Sequence, residues 1–197
     1  MKKESGHHLV LGELTDFITG KTIADTHDER YRQKIAHLLV EKKGFSREEI
    51  LQNECVITVA GRKQAVIRID FLIVIAGRPA MVIRYGPGSL VTRRRAALAA
   101  SRLLRSSQIP VAVVTNGETA EILSGENGRL IGEGLLSIPS RQELAALIEN
   151  IPEKPVPEKQ KEKEARILYA FDVDDSCPCD ETTCVSKFEP TSEDGLL

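Results

Sequence analysis

The stretch VIRIDFLIVI at residues 66–75 decides the fold, because it is a long run of Ile, Val and other apolar residues that ends at turn residues. It predicts a strand over residues 64–75. After a Gly-Arg-Pro turn, residues 80–85 predict a strand that returns beside the first. Residues 55–59 predict a strand before this pair. Residues 111–115 (VAVVT) predict a buried strand in a sheet that helices cover.

Helical patterns surround these strands. Residues 28–43 place apolar side chains at steps of three and four, which is the period of one helix face, and a T-x-x-E capping box precedes them. Residues 90–105, rich in Ala and Leu, predict a second helix. Short strands at 120–123 and 129–131 lead to a third helix at 140–148, which begins with another capping box. The order predicts an α/β fold with a mixed central sheet flanked by helices.

The composition is that of a globular protein. The 197 residues carry a formal net charge of −2, with 41% hydrophobic and 28% charged residues, and this balance by itself does not indicate a nucleic-acid partner. No apolar run approaches the ~20 residues that span a bilayer, so no membrane association is expected. Without a signal peptide or a disulfide pattern, the sequence predicts a cytoplasmic protein with reduced thiols.

Composition divides the chain into four segments. Residues 1–25 are predicted to be an N-terminal arm with one small helix or turn around residues 13–18. Residues 26–151 form the α/β domain. Residues 152–164 (PEKPVPEKQKEKE) are a predicted linker, since Pro, Lys and Glu bury too little apolar surface to fold. Residues 165–197 hold a short apolar segment and an acidic, cysteine-containing tail.

Asp70 lies in the middle of the apolar strand that decides the fold. A carboxylate there is costly unless it is paired or bound to a cation. Because side chains alternate along a strand, Arg68 and Asp70 are expected on one face, and Arg84 and Gly86 share a face of the next strand. The simplest interpretation is that Asp70 and Arg84 neutralise each other across the two strands.

Residues 29–45 (ERYRQKIAHLLVEKKGF), followed by RIDFLIV at 68–74 and MVIRY at 81–85, resemble the N-terminal domain of type I restriction enzyme R subunits. The resemblance implies the restriction-endonuclease-like core of the PD-(D/E)XK nucleases. It also implies that an Asp and a Glu on neighbouring strands bind Mg²⁺, that a Lys two residues after the Glu activates water, and that a helix Glu assists. Asp70 and Glu29 match this pattern, whereas Arg84 and Gly86 replace the Glu and the Lys.

Two functions remain open on this basis. In the first, Arg84 fills the place of the metal, bound to Asp70 and Glu29, and the chain is a non-catalytic module that binds nucleic acid or a protein partner without a cofactor. In the second, the chain is a metal-dependent DNA endonuclease with a rearranged site. That site would need a new carboxylate for Mg²⁺ beside Asp70, and Glu54 is the best candidate. The sequence does not give an oligomeric state.

A glycine turn and a basic run follow the third strand. A turn with open N–H groups, a hydroxyl and three cations would suit a phosphate, with Ser89 capping the next helix. The alternative is an ordinary helix cap followed by a solvated basic face. The candidate phosphate-binding residues are Gly86, Gly88, Ser89, Thr92, Arg93, Arg94 and Arg95.

The tail contains the sequence CPCDETTC, with Cys177, Cys179 and Cys184 in C-x-C-x4-C spacing. Three thiolates could contribute to a Zn²⁺ or iron–sulfur site if a fourth ligand came from elsewhere. The alternative is a tail with free thiols, because C-x-C is not the usual spacing of a zinc knuckle.

Overall fold

The computed structural model describes residues 9–60, 63–174 and 183–186. These residues form nine strands and four α-helices. In chain order they are β1 (Gly12–Thr15), β2 (Thr22–Asp25), α1 (His27–His37), β3 (Ile50–Ala60), β4 (Lys63–Ile75), β5 (Arg78–Tyr85), α2 (Arg94–Leu103), β6 (Val111–Thr115), β7 (Ala120–Ser124), β8 (Leu130–Glu133), α3 (Arg141–Asn150), α4 (Glu158–Tyr169) and β9 (Thr183–Ser186). Short π-helical turns extend α1 over Leu38–Lys42 and α4 over Ala170–Asp174.

The main sheet has the strand order β3-β4-β5-β6-β7-β8, with β9 beside β4. Strands β5 and β6 are parallel, and α2 makes the crossover between them. The other strand pairs in the described part of the chain are antiparallel. This mixed sheet flanked by helices confirms the predicted fold class. None of the helices among these residues is long and apolar enough to cross a membrane.

Two apolar layers cover the sheet. One joins α1 and α3 to the sheet through Ile35, Ile83 and Leu144, and we call it the α1 layer. The other joins α2 and α4 to the opposite face through Ala99 and Leu168, and we call it the α2 layer. Both faces of the central strands are therefore buried, as expected of a sheet that helices cover.

The β3–β4 hairpin contributes to both layers. On β4, Ile69 packs in the α2 layer, whereas Phe71, two residues later, packs in the α1 layer. Strand β3 changes face at the same level, where Asn53 has a left-handed backbone with φ of 56°. Simple strand alternation does not hold across this level.

Capping explains where two of the helices begin. The hydroxyl of Thr26 accepts the N–H of Glu29 at 3.1 Å and caps α1. At α3, Ser140 and Glu143 form both bonds of a capping box. Both predicted helix starts are confirmed. The Glu29 carboxylate, however, accepts a hydrogen bond from Gln33 at 2.8 Å, not from the Thr26 backbone.

Of the small helix or turn predicted around residues 13–18, the structure has a turn, at residues 17–19, and no helix. Strands β1 and β2 pair as an antiparallel hairpin, with the turn after β1. The buried carboxylate of Asp16 holds this turn by accepting hydrogen bonds from Thr19, Gln33 and Gln52. A side chain that closes a turn and binds two other elements at once favours the hairpin over a helix.

The prediction that residues 152–164 remain unfolded is also wrong. Helix α4 begins at Glu158 and runs through most of this segment. The sequence suggests that its charged residues face solvent, but Glu164 is buried and pairs with two arginines of α2. Leu168, one turn later, is fully buried. Partners that are distant in sequence therefore stabilise a segment whose own composition is poor in apolar residues.

The cysteine tail falls largely outside the residues that can be described. Cys177 and Cys179 lie outside them, and Cys184 is described only as part of the backbone of β9, opposite Val66. A Zn²⁺ or iron–sulfur site in the tail stays a prediction.

Candidate functional site

The carboxylate of Asp70 is bound from two sides. Its Oδ1 accepts Nε–H of Arg32 at 2.7 Å, and its Oδ2 accepts the backbone N–H of Tyr85 at 2.7 Å. The side chain is only 10% exposed. A carboxylate that is this deeply placed needs such partners, and both of its oxygens have one.

Arg32 also joins Asp70 to the helix carboxylate that the sequence singles out. Its Nη1 lies 3.6 Å from Oε2 of Glu29, one helical turn earlier on α1. The guanidinium lies 5.1 Å from the centre of the Tyr85 ring, in cation–π contact. The negative charges of Asp70 and Glu29 raise the pKa of Arg32 against the opposing effect of its own burial. Arg32 is therefore a fixed positive charge between the two carboxylates.

This donor set does not fit Mg²⁺. The ion prefers octahedral oxygen ligands at short range, and several of these are usually carboxylates. Here a guanidinium lies against both carboxylates that could supply them. Within the described ranges, no group of three or more His, Cys, Asp or Glu side chains is arranged to hold a metal.

The predicted pair between Asp70 and Arg84 is wrong. Arg84 instead donates to Oδ2 of Asp172 at 2.7 Å, in the turn that extends α4. Arg84 follows the α2-layer residue Val82 by two positions on β5, whereas Asp70 is bound from the α1 side of the sheet. The change of face along β4 separates the two side chains, and sequence alternation did not anticipate it.

The carboxylate proposed for a rearranged site is also engaged elsewhere. Glu54 forms an ion pair with Arg105, in the segment after α2. It shares with Asp70 an open cleft of about 630 Å³ between the N-terminal hairpin, α1 and the β3–β4 hairpin. Arg68 lines the same cleft, so its predicted common face with Asp70 is confirmed. The cleft brings Glu54 near Asp70, but each carboxylate has an arginine of its own.

Tyr85 and Asp28 complete the environment of Arg32, and sequence reasoning missed both. The Tyr85 hydroxyl donates to Oδ1 of Asp28 at 2.9 Å, and the Tyr85 ring stacks on Tyr31. Burial, together with the Asp28 carboxylate, raises the pKa of Tyr85 well above its ordinary value. The spacing of Arg32, three residues after Glu29 on one helix face, was the signal that could have identified the network.

The glycine turn after β5 is covered by an arginine. The guanidinium of Arg93 lies over Gly86, with Nε 2.8 Å from the position that a Cβ at residue 86 would occupy. Only a glycine leaves room for this contact. Arg93 is half-buried, and no acidic side chain among the described residues pairs with it. The Arg93 guanidinium therefore places a positive charge beside Gly86, where the sequence resemblance implies a lysine.

The other predicted phosphate-binding residues divide into two groups. Arg94 makes a bidentate pair with Glu121, and Arg95 pairs with Glu164 of α4 at 2.8 Å, so both have acidic partners among the described residues. Gly88 has a φ of 84° and shapes the turn. Thr92 lies in the short 3₁₀ turn Val91–Arg93, and its hydroxyl donates to the carbonyl of Ser89, which precedes the turn, at 3.2 Å. The predicted Ser89 cap is wrong, because Leu90 takes the capping position and no side chain caps the turn.

Comparison with known families identifies the domain. The family model for the type I restriction enzyme R protein N terminus (HSDR_N) matches residues 27–139. This is more than half of the chain. The chain belongs to this family. A search of the curated proteins and a search of the solved structures each returned no match.

The matched range relates the family to the fold. It begins at the first residue of α1 and extends past β8, so it contains Asp70, Arg32 and the Gly86 turn. The β1–β2 hairpin precedes it, and α3 and α4 follow it. These flanking elements are therefore additions to the matched range, and they supply partners such as Asp172 and Glu164 to arginines within it.

Proposed function

We propose that this member of the type I restriction R-protein N-terminal family is a non-catalytic module that binds nucleic-acid phosphate at the Gly86 turn. The proposal takes the PD-(D/E)XK nuclease core from the sequence resemblance, and it takes the cytoplasm as the site of action. Its central observation is that Arg93 lies over Gly86 without an acidic partner among the described residues.

Two features support binding without cleavage. Arg32 holds both Asp70 and Glu29, which are the carboxylates that match the metal-binding pattern. An arginine cannot ligate a metal and remains charged at every relevant pH. At the same edge of the sheet, the half-buried guanidinium of Arg93 can reach a phosphate, which a planar fork of N–H donors binds well.

The test is a titration of labelled 20-bp duplex DNA, followed by fluorescence anisotropy over a series of salt concentrations. Removing one phosphate contact lowers the slope of log K against log[salt] by about 0.9. We expect Arg93→Ala to weaken binding at least tenfold at low salt and to lower the slope by about one. Arg129→Ala is the matched control, because Arg129 is exposed and lies in the turn before β8.

Equal binding by Arg93→Ala and Arg129→Ala would contradict the proposed contact. Plasmid cleavage by the wild-type protein in Mg²⁺ or Mn²⁺, abolished by Asp70→Asn, would contradict the non-catalytic assignment and establish the endonuclease alternative. The cleavage and binding assays are independent, so each part of the proposal can fail alone.

A further inference from the structure

Three arginines other than Arg93 face α4 and its extension. Arg84 and Arg102 are nearly buried there, whereas Arg95 is partly exposed. Arg95 and Arg102 point from α2 to Glu164, with N–O distances of 2.8 and 2.6 Å. Arg84 points from β5 to Asp172, in the turn that extends α4. Each of these arginines belongs to the matched range, and each of the two acids lies beyond it.

The pairing under α4 is incomplete. Glu164 is 2% exposed, yet its Oε2 makes no hydrogen bond of good geometry with the described residues. Within the same described part, Nη1 of Arg95 and Nε of Arg102 are buried and also lack a hydrogen-bond acceptor. Buried donors without acceptors are costly, so two of these guanidinium groups retain unused capacity to bind oxygen.

The rest of the contact is a small apolar strip. Ile167 and Leu168 of α4 pack on α2 where its side chains are alanines, including Ala96 and Ala99. The opposite side of α4 carries exposed Lys and Glu residues, among them Glu162 and Lys163. Helix α4 is thus an amphipathic element whose inner face presents an acidic residue to a basic surface.

The spacing of the covered arginines suits a phosphate backbone. Arg95 and Arg102 are seven residues apart on α2, which is about 10 Å along a helix axis. Successive phosphates of one strand advance about 3.4 Å along the duplex, so this distance corresponds to roughly three nucleotides. Arg93, at the start of the same helix, points to the Gly86 turn and adds a cation next to this pair.

We propose that the face of α2 beneath α4 is the larger part of a DNA-binding surface, and that α4 covers it in cis by supplying Glu164 and Asp172 in place of phosphates. The inference rests on the proposed function, because it extends the Arg93 contact. When α4 lifts, Arg84, Arg95 and Arg102 become available beside Arg93. DNA and α4 then compete for one basic face.

The experiment compares Glu164→Gln with Glu162→Gln in the full chain. Both variants remove one negative charge from α4, but only Glu164 contacts the arginines. Hydrogen exchange over α4 reports its release, and DNA anisotropy over a salt series reports the surface. For Glu164→Gln we expect faster exchange in α4 and at least tenfold tighter DNA binding. The salt slope should become steeper by about 1.8, because Arg95 and Arg102 each gain a phosphate contact while Asp172 still holds Arg84. Glu162→Gln is expected to match the wild type.

The results separate the two proposals. If DNA binding depends on Arg93 but is the same in both α4 variants, then α4 does not cover the DNA-binding surface, and the proposed function stands. If the wild type and all variants fail to bind DNA, the proposed function itself fails. Should Glu164→Gln not fold by circular dichroism, Asp172→Asn replaces it. Release of Arg84 then predicts a salt slope of DNA binding that is steeper by about 0.9. An unchanged slope would contradict the proposal that α4 covers this surface.

Discussion

Replacement of Arg32 by Met tests whether this guanidinium takes the place of the divalent ion that the sequence resemblance implies beside Asp70. The change keeps an apolar stem of similar length and removes the charge. Asp70 then retains only the N–H of Tyr85, and Glu29 loses its nearest cation. Both carboxylates remain on the scaffold, so the variant isolates the contribution of the guanidinium.

The expected loss of stability follows from burial. Removing one partner of a buried ion pair costs ~3–5 kcal/mol. Arg32 is 22% exposed and Asp70 is 10% exposed, which favours the lower end of that range. Loss of the cation–π contact with Tyr85 adds about 0.5–1 kcal/mol. We therefore expect the free energy of unfolding to fall by about 3–4 kcal/mol.

Urea denaturation of five proteins provides the measurement. They are the wild type, Arg32→Met, Asp70→Asn and the double variant, with Lys34→Met as an exposed control on the same helix. Asparagine can still accept the Tyr85 N–H but needs no counter-charge. The double variant should therefore be more stable than the sum of the two single losses predicts, by ~1–3 kcal/mol.

A second measurement adds Mg²⁺ to the same urea denaturation. With Arg32 removed, Asp70 and Glu29 become available as oxygen ligands, and a ligand at ten times its Kd stabilises the native state by about 1.4 kcal/mol. We expect Mg²⁺ to raise the stability of Arg32→Met and not that of the wild type. A loss below about 1 kcal/mol in Arg32→Met, or equal stabilisation of both proteins by Mg²⁺, would refute the reasoning.

Three further predictions concern the scaffold. Burial would raise the pKa of Asp16, but hydrogen bonds led by Thr19 outweigh it and hold the pKa below its usual 3.8. The ionised carboxylate therefore stabilises the fold above that pH, and this stabilisation is lost on acidification. Urea titrations at pH 7 and pH 3 should show a larger loss of unfolding free energy for the wild type than for Asp16→Asn. Gly125→Ala should cost about 1–3 kcal/mol or more in urea, because its Cβ would collide with the backbone carbonyl oxygen of Ile109 and lie 2.9 Å from that of Pro110, and an unchanged midpoint would contradict this. Leu168→Ala should cost about 2–5 kcal/mol and speed hydrogen exchange in α4, whereas stability equal to the wild type would show that α4 contributes little.

Local signals predicted the elements whose determinants lie within a few residues. The VAVVT strand spans the residues that its apolar run indicates, and Thr26 and Ser140 cap the helices that follow them. The helix at residues 158–169 was missed because its stability depends on Arg95 and Arg102, about sixty residues earlier. Composition within a window cannot show a charge that is compensated from a distant element.

The candidate site was predicted in composition but not in pairing. The sequence identified Asp70 and Glu29 and expected an arginine beside them, and the structure supplies Arg32 instead of Arg84. Strand alternation assigns faces correctly only while the pleat is regular, and the change of face between Ile69 and Phe71 lies at the carboxylate in question. Such irregularities depend on three-dimensional strand twist, for which this sequence carries no local motif.

The left-handed residue Asn53 has a mechanical consequence. The Gln52 side chain, before it, donates to Asp16 of the N-terminal hairpin, and Glu54, after it, pairs with Arg105 beyond α2. One peptide segment thus ties together two parts of the molecule on opposite sides of the sheet. Because both contacts come from one short stretch of β3, we expect a change at Asn53 to disturb both the N-terminal hairpin and the segment after α2.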